Sequence, residues 1–219
     1  LARTRRPVIK DVGLLRGMSS GLGSGLFAGA YFPPDWMVPQ PCGTVQTPVD
    51  YRGSIPLQGL SLDYDMAEKL ITQKTKVVSV LLASNVTGEI NDVARIAKIA
   101  HKVGALVICD ATAAVGHIPV EVHNLGVDAL YFSGHKMCGP TGIGVLWVRE
   151  EFLEKLEPGI YGGGMVDSVT ATTATWGLIP NRFEAGTPPI AEAIGLGVAV
   201  EYLTKVGTDH IGTHCSTLA

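Results

Sequence analysis

A chain of 219 residues, 46% hydrophobic and 17% charged with a formal charge of −3, can bury a sizeable core as one large domain or a domain with an appendage. It has no basic excess for nucleic acid, and no apolar run reaches the length of a membrane span. Cys42, Cys109, Cys138 and Cys215 are widely spaced with no C-x-x-C pair, which favours a reducing, cytoplasmic setting over a disulfide framework or a cysteine metal site.

Residues 1 to 50 begin basic (Arg3, Arg5, Arg6, Lys10, Arg16) and then become rich in Gly, Ser and Pro, with no sustained period. They are expected to be a poorly ordered extension. The alternative is a transit segment, which would send the chain to a plastid or another organelle. The segment "GLGSGLFAG" is not expected to be a phosphate loop, because it lacks a preceding strand and a following Lys-Ser/Thr.

Residues 51 to 219 read as one α/β domain. "DYDMAEKLIT" is a helix with Asp63 as its cap, and "KVVSVLLAS" is a continuous apolar strand of the kind buried on both faces. "INDVARIAKIAHKVG" is an amphipathic helix with Ile90, Val93, Ala94, Ala97 and Ala100 on its apolar side, closed by Gly104. Strands "ALVICD", "DALYFS" and "IGVLWV" and helix "REEFLEKL" follow. Strands alternating with helices predict a layered fold with a largely parallel sheet. The apolar helix "IAEAIGLGVAVEYL" should be core, packing on the sheet rather than binding a partner. Cys109 reads as a buried strand residue, Cys138 as a packing residue beside a turn, and Cys215 as an ordinary helix position.

Ligands of such sheets bind at the carboxyl ends of the strands. Asn85, Asp110 and the run Ser133 to Lys136 all fall there. Taken singly, Asp110 could be a turn residue and Lys136 a surface lysine with its stem on apolar neighbours. Taken together, they match the needs of pyridoxal phosphate. A lysine forms the Schiff base, an aspartate keeps the pyridinium nitrogen protonated, and donors hold the phosphate.

"SNVTGEIN", "ALVICDATAAVGHIPVEV", "DALYFSGHKMCGPTGIGVLWV" and "RFEAGTPPIAEAIGLGVAVEYL" resemble, in order, motifs of the cysteine desulfurases. The likeness is to the group with the SufS-type enzymes and selenocysteine lyases, within the class V aminotransferase superfamily. It runs from about residue 55 to about 214. The resemblance implies a three-layer α/β sandwich, the large domain of fold type I pyridoxal-phosphate enzymes, incomplete and without the small C-terminal domain. It also implies roles. Lys136 would be the catalytic, cofactor-bound lysine and Asp110 the partner of the pyridinium nitrogen. Ser133 and His135 would contact the phosphate, and Asn85 would face the cofactor oxygen. Thr187 would reach the phosphate of a neighbouring subunit, so the site would be shared in a homodimer. His117 and Arg182 would be structural, and "YGGGMV" resembles a glycine loop near the dimer interface.

The implied reaction takes sulfur from L-cysteine, leaving L-alanine and an enzyme persulfide for iron–sulfur cluster assembly or another sulfur-acceptor protein. Two other readings stay open: another class V enzyme (selenocysteine lyase, transaminase or lyase), or a non-catalytic dimerisation module. The sequence departs from the family at Ala113, where a glutamine stands three residues after the aspartate. It also lacks the family's N-terminal phosphate-binding threonines and its C-terminal arginine and cysteine. The 219-residue chain alone is therefore expected to bind the cofactor weakly, with no appreciable turnover.

Overall fold

Alternating apolar strands and one-sided helices set the order of the elements. The computed structural model describes residues 12–16, 30–31 and 55–219, the first two stretches by their backbone path alone. In chain order the strands are β1 (Val12–Arg16), β2 (Ala30–Tyr31), β3 (Leu57–Gln58), β4 (Ser61–Leu62), β5 (Val77–Leu81), β6 (Leu106–Asp110), β7 (Ala129–Ser133), β8 (Ile143–Val148), β9 (Glu157–Pro158), β10 (Val166–Val169) and β11 (Ala174–Trp176). The helices are α1 (Tyr64–Leu70), α2 (Val93–Lys102), α3 (Val122–Leu125), α4 (Glu150–Leu153), α5 (Ile190–Val206) and α6 (Thr208–Leu218).

The central sheet has the order β1-β8-β7-β6-β5. β5, β6 and β7 pair in parallel, β8 runs against β7, and β1 runs against β8. Four of the five strands thus share one direction, as the α/β reading requires. β1 comes from within the first 50 residues. Its register from Val12↔Trp147 to Arg16↔Ile143 makes "VGLLR" an edge of the sheet. Five residues that include Gly13 and end in Arg16 are too few to be recognised by period alone. The "GLGSGLFAG" segment and Cys42 lie outside the described residues.

Capping explains where α1 and α2 start. The Asp63 carboxylate accepts from the Met66 N–H, and Asp92 from the Arg95 N–H, each at 2.9 Å. Helix α2 therefore begins at Val93, and Ile90 instead bridges to Ala83, 55% exposed. The buried stripe of α2 is Val93, Ile96, Ala97, Ile99 and Ala100. It packs with Val78, Val80, Val107, Cys109 and Leu130 into the main core on one face of the sheet. Farther along that face, Leu196 and Leu203 of α5 meet Met137, Ile143 and Val145. On the opposite face Ile108, Ala129 and Val148 pack against Leu153 and Phe183.

Three expectations are corrected. β5 is not buried on both faces: it is the last strand of the sheet among the described residues, and Leu81 is 44% exposed. "REEFLEKL" yields only the single turn α4. Helix α5 buries Leu196, Ala199 and Leu203, but Ile190, Ile194, Val198 and Tyr202 stand exposed in a row. A helix with apolar residues on several sides and only Glu192, Glu201 and Lys205 charged has no clear stripe to say which side meets the sheet.

Candidate functional site

Parallel pairing brings the carboxyl ends of β5, β6 and β7 to one edge. Leu81 is opposite Asp110, and Asp110 is opposite Tyr131. Two bonds just past the strands lock this edge: Leu82 N–H to the Asp110 carbonyl at 2.8 Å, and Ala111 N–H to the Tyr131 carbonyl at 2.9 Å. Strand alternation sends Asp110 and Tyr131 to the face of Ile108 and Ala129, away from Cys109 and Leu130. Asp110 is half-buried there. Its Oδ1 accepts the Thr112 N–H at 2.8 Å, and Tyr131 is its ladder neighbour on the same face.

The next strand end carries the lysine. After Ser133 the chain enters a 3-10 turn, Gly134–Lys136. A Cβ on Gly134 would lie 2.9 Å from Ile143 Cγ2, and one on Gly139 would lie 2.8 Å from the Gly134 carbonyl oxygen. Only glycine lets the turn fold this closely onto β8 and α5. His135 and Lys136 are presented to solvent, and Ser133 is half-buried. Cys138, with a left-handed φ of 62°, is exposed rather than packed. Asn85 stands exposed on the neighbouring turn after β5. That turn is held by the Ser84 hydroxyl, which accepts from the N–H groups of Val86 (3.2 Å) and Thr87 (3.1 Å).

Five of the six candidates, Asn85, Asp110, Ser133, His135 and Lys136, therefore share one edge. Thr187 is on another segment, exposed just before α5, where Gly186 N–H bonds the Gly163 carbonyl at 2.8 Å. This contact joins "EAGTP" to the glycine loop. Arg182 bonds the Leu153 carbonyl and lies 5.0 Å from the Phe183 ring centroid, tying its segment to α4. Ala113 packs toward the main core, and the adjacent Thr112 backbone serves Asp110.

Burial, and then the Asp110 charge, pushes the Cys109 thiol up to about 12. The same causes, in the same order, push the Tyr131 phenol well above the usual tyrosine range. Both groups are therefore protonated at neutral pH. Sequence reading passes over Tyr131 as a strand residue; only the β6–β7 register sets it beside the acid.

A cavity of about 410 Å³ between Phe132, Met137, Leu203 and Thr204 includes none of the six candidates, so volume does not locate this site. Among the described residues no cluster of His, Cys, Asp and Glu is fit for a metal ion. A primary amine, a carboxylate, a hydroxyl and an imidazole on one edge form a donor set suited to a phosphorylated pyridine aldehyde.

Comparison with known proteins points the same way. The family model "Aminotransferase class-V" matches residues 54–219. A probable cysteine desulfurase of Streptomyces coelicolor is 50% identical over 153 residues, 70% of this chain and 37% of the relative. Another, from Halalkalibacterium halodurans, is 46% identical over 166 residues, covering 75% and 41%. Among solved structures, a cysteine desulfurase from Escherichia coli superimposes with a TM-score of 0.69 at 39% identity, over 71% of this chain and 39% of its own. One from Thermococcus onnurineus gives 0.65 at 43%, over 68% and 37%. The chain spans about two-fifths of the length of the curated relatives it matches. It belongs to the class V aminotransferase family.

Proposed function

We propose that this chain binds pyridoxal phosphate through Lys136 and carries the cofactor-binding part of a cysteine desulfurase. The observation that supports this most is the meeting of Asp110, Ser133 and Lys136 at one strand edge in a chain 50% identical to a probable cysteine desulfurase. When bound, the cofactor supplies an electron sink for the substrate's α-carbon. Lys136 would provide the amine that anchors it and would hold or move a proton at that carbon. Asp110 would pair with the ring nitrogen. Ser133 and His135 would donate to the phosphate, and Asn85 to the ring oxygen. Thr187 serves the phosphate held by a second copy of the chain, making a homodimer the working unit. The substrate is L-cysteine, and the sulfur passes to an acceptor protein. No helix among the described residues is long and apolar enough to cross a membrane; a cytoplasmic setting accompanies this proposal.

Borohydride reduction of the chain loaded with cofactor, followed by peptide mapping, tests it. The label is expected on Lys136. A label on Lys102 or Lys155, or none, would refute the assignment. L-Cysteine should then perturb the cofactor's visible absorbance at concentrations where L-serine does not. Equal responses would point to a different class V reaction.

A further inference from the structure

We propose that the Tyr131 hydroxyl is a positioning donor that holds the Asp110 carboxylate in the plane needed to face a pyridinium nitrogen. The inference rests on the cofactor reading above and names a residue that reading does not use.

Three observations carry it. The first is register: Asp110 and Tyr131 are direct partners across the parallel β6–β7 ladder, with side chains on the same face. The second is what already acts on each group. The Thr112 N–H holds Asp110 Oδ1 at 2.8 Å, and the nearby Asp110 carboxylate, after burial, pushes the Tyr131 phenol up, as an acid facing that hydroxyl would. With one donor, a carboxylate can still rotate about its Cβ–Cγ bond. With donors on two different segments, β7 and the turn after β6, its plane is set and acceptor capacity remains for a third, external donor. The third is burial. The Tyr131 ring packs against the Ile108, Ala129 and Val148 cluster, so the hydroxyl reaches the acid from a fixed base rather than from solvent. Burial and the nearby charge also keep the phenol protonated across neutral pH, so the donor is always available.

A purely packing role for Tyr131 predicts different behaviour. Phenylalanine fills the same volume and keeps the ring among Ile108, Ala129 and Val148. Tyr131→Phe would then leave the cofactor unaffected.

The test is a double-mutant cycle on pyridoxal phosphate affinity, read from the visible absorbance of the lysine-bound cofactor. It uses the unaltered chain, Tyr131→Phe, Asp110→Asn and the pair. Tyr131→Phe should weaken binding about tenfold, the order expected for one hydrogen bond to a charged group. In the Asp110→Asn background the same change should alter affinity by less than about twofold, because the acid it orients is gone. A second arm uses the deaza analogue of the cofactor, with a C–H in place of the ring nitrogen. Tyr131→Phe should leave its affinity unchanged, a result that lost packing cannot give. Lys136 labelling with fully multiplicative losses, or an equal effect on the deaza analogue, would overturn the inference and leave the cofactor reading intact. Absence of any label at Lys136 would remove both.

Discussion

Along one face of the sheet β5, β6 and β7 press Val78, Val80, Val107, Cys109 and Leu130 against α2, while at their carboxyl ends they lead into a polar edge where Asn85, His135 and Lys136 are exposed. The face is closed by apolar contact and by one buried acid. Asp128, 5% exposed, accepts the Val107 N–H at 2.8 Å and His101 Nε2 at 2.9 Å, with Arg149 Nε 3.5 Å from its other oxygen. The edge has no comparable closure. Among the described residues, the side chains of Asn85, Ser133, His135, Lys136 and Thr187 make no hydrogen bond to one another. Stability and the proposed chemistry thus fall to different residues on the same strands, and substitutions should separate them.

The largest effect is expected at Ile96, which is fully buried beneath the sheet. Ile96→Ala removes three carbons from a site closed by α2 and should cost about 2–5 kcal/mol, measured as a lower urea midpoint with unchanged slope. A loss under about 1 kcal/mol would mean that the face is looser than its burial implies.

Asp128→Ala comes next. It leaves the buried Val107 N–H without an acceptor and removes the contacts to His101 and Arg149, and should cost about 1–3 kcal/mol. The half-exposed partners keep the ionic share small. If the whole loss vanished in high salt, the backbone bond would not be its source.

Alkaline pH probes the dryness of the same face. The Cys109 thiol is raised from 9.0 to about 12 in the fold, chiefly by burial. Above pH 9 the unfolded chain loses this proton while the folded chain keeps it. Stability present below that pH should therefore decline as pH climbs toward 12, by at most about 1.4 kcal/mol per unit. Cys109→Ala should flatten that slope, and an unchanged slope would locate the titration elsewhere.

The smallest effect on stability belongs to the edge. Lys136 is exposed, so Lys136→Ala should change folding free energy by less than about 0.5 kcal/mol while abolishing borohydride labelling. A large stability loss would join the two regions that the structure keeps apart.

Much of this architecture was legible in the chain itself. Apolar runs at "VVSVL", "LVICD" and "ALYFS", and the one-sided pattern of α2 between Asp92 and Gly104, specify strands, a helix and a parallel sheet through local periodicity and capping. Parallel topology then places Asn85, Asp110 and Lys136 on one edge before any coordinates are known. Three features depended on contacts between segments distant in sequence. The strand Val12–Arg16 exists as β1 only because β8 offers it an edge. The burial of Leu196, Ala199 and Leu203 rather than Ile190, Ile194 and Val198 is decided by which side of α5 meets β8 and the glycine turn, since both sets are apolar. The pairing of Tyr131 with Asp110, twenty-one positions apart, follows from the β6–β7 register, because a one-residue slip would send either side chain to the opposite face.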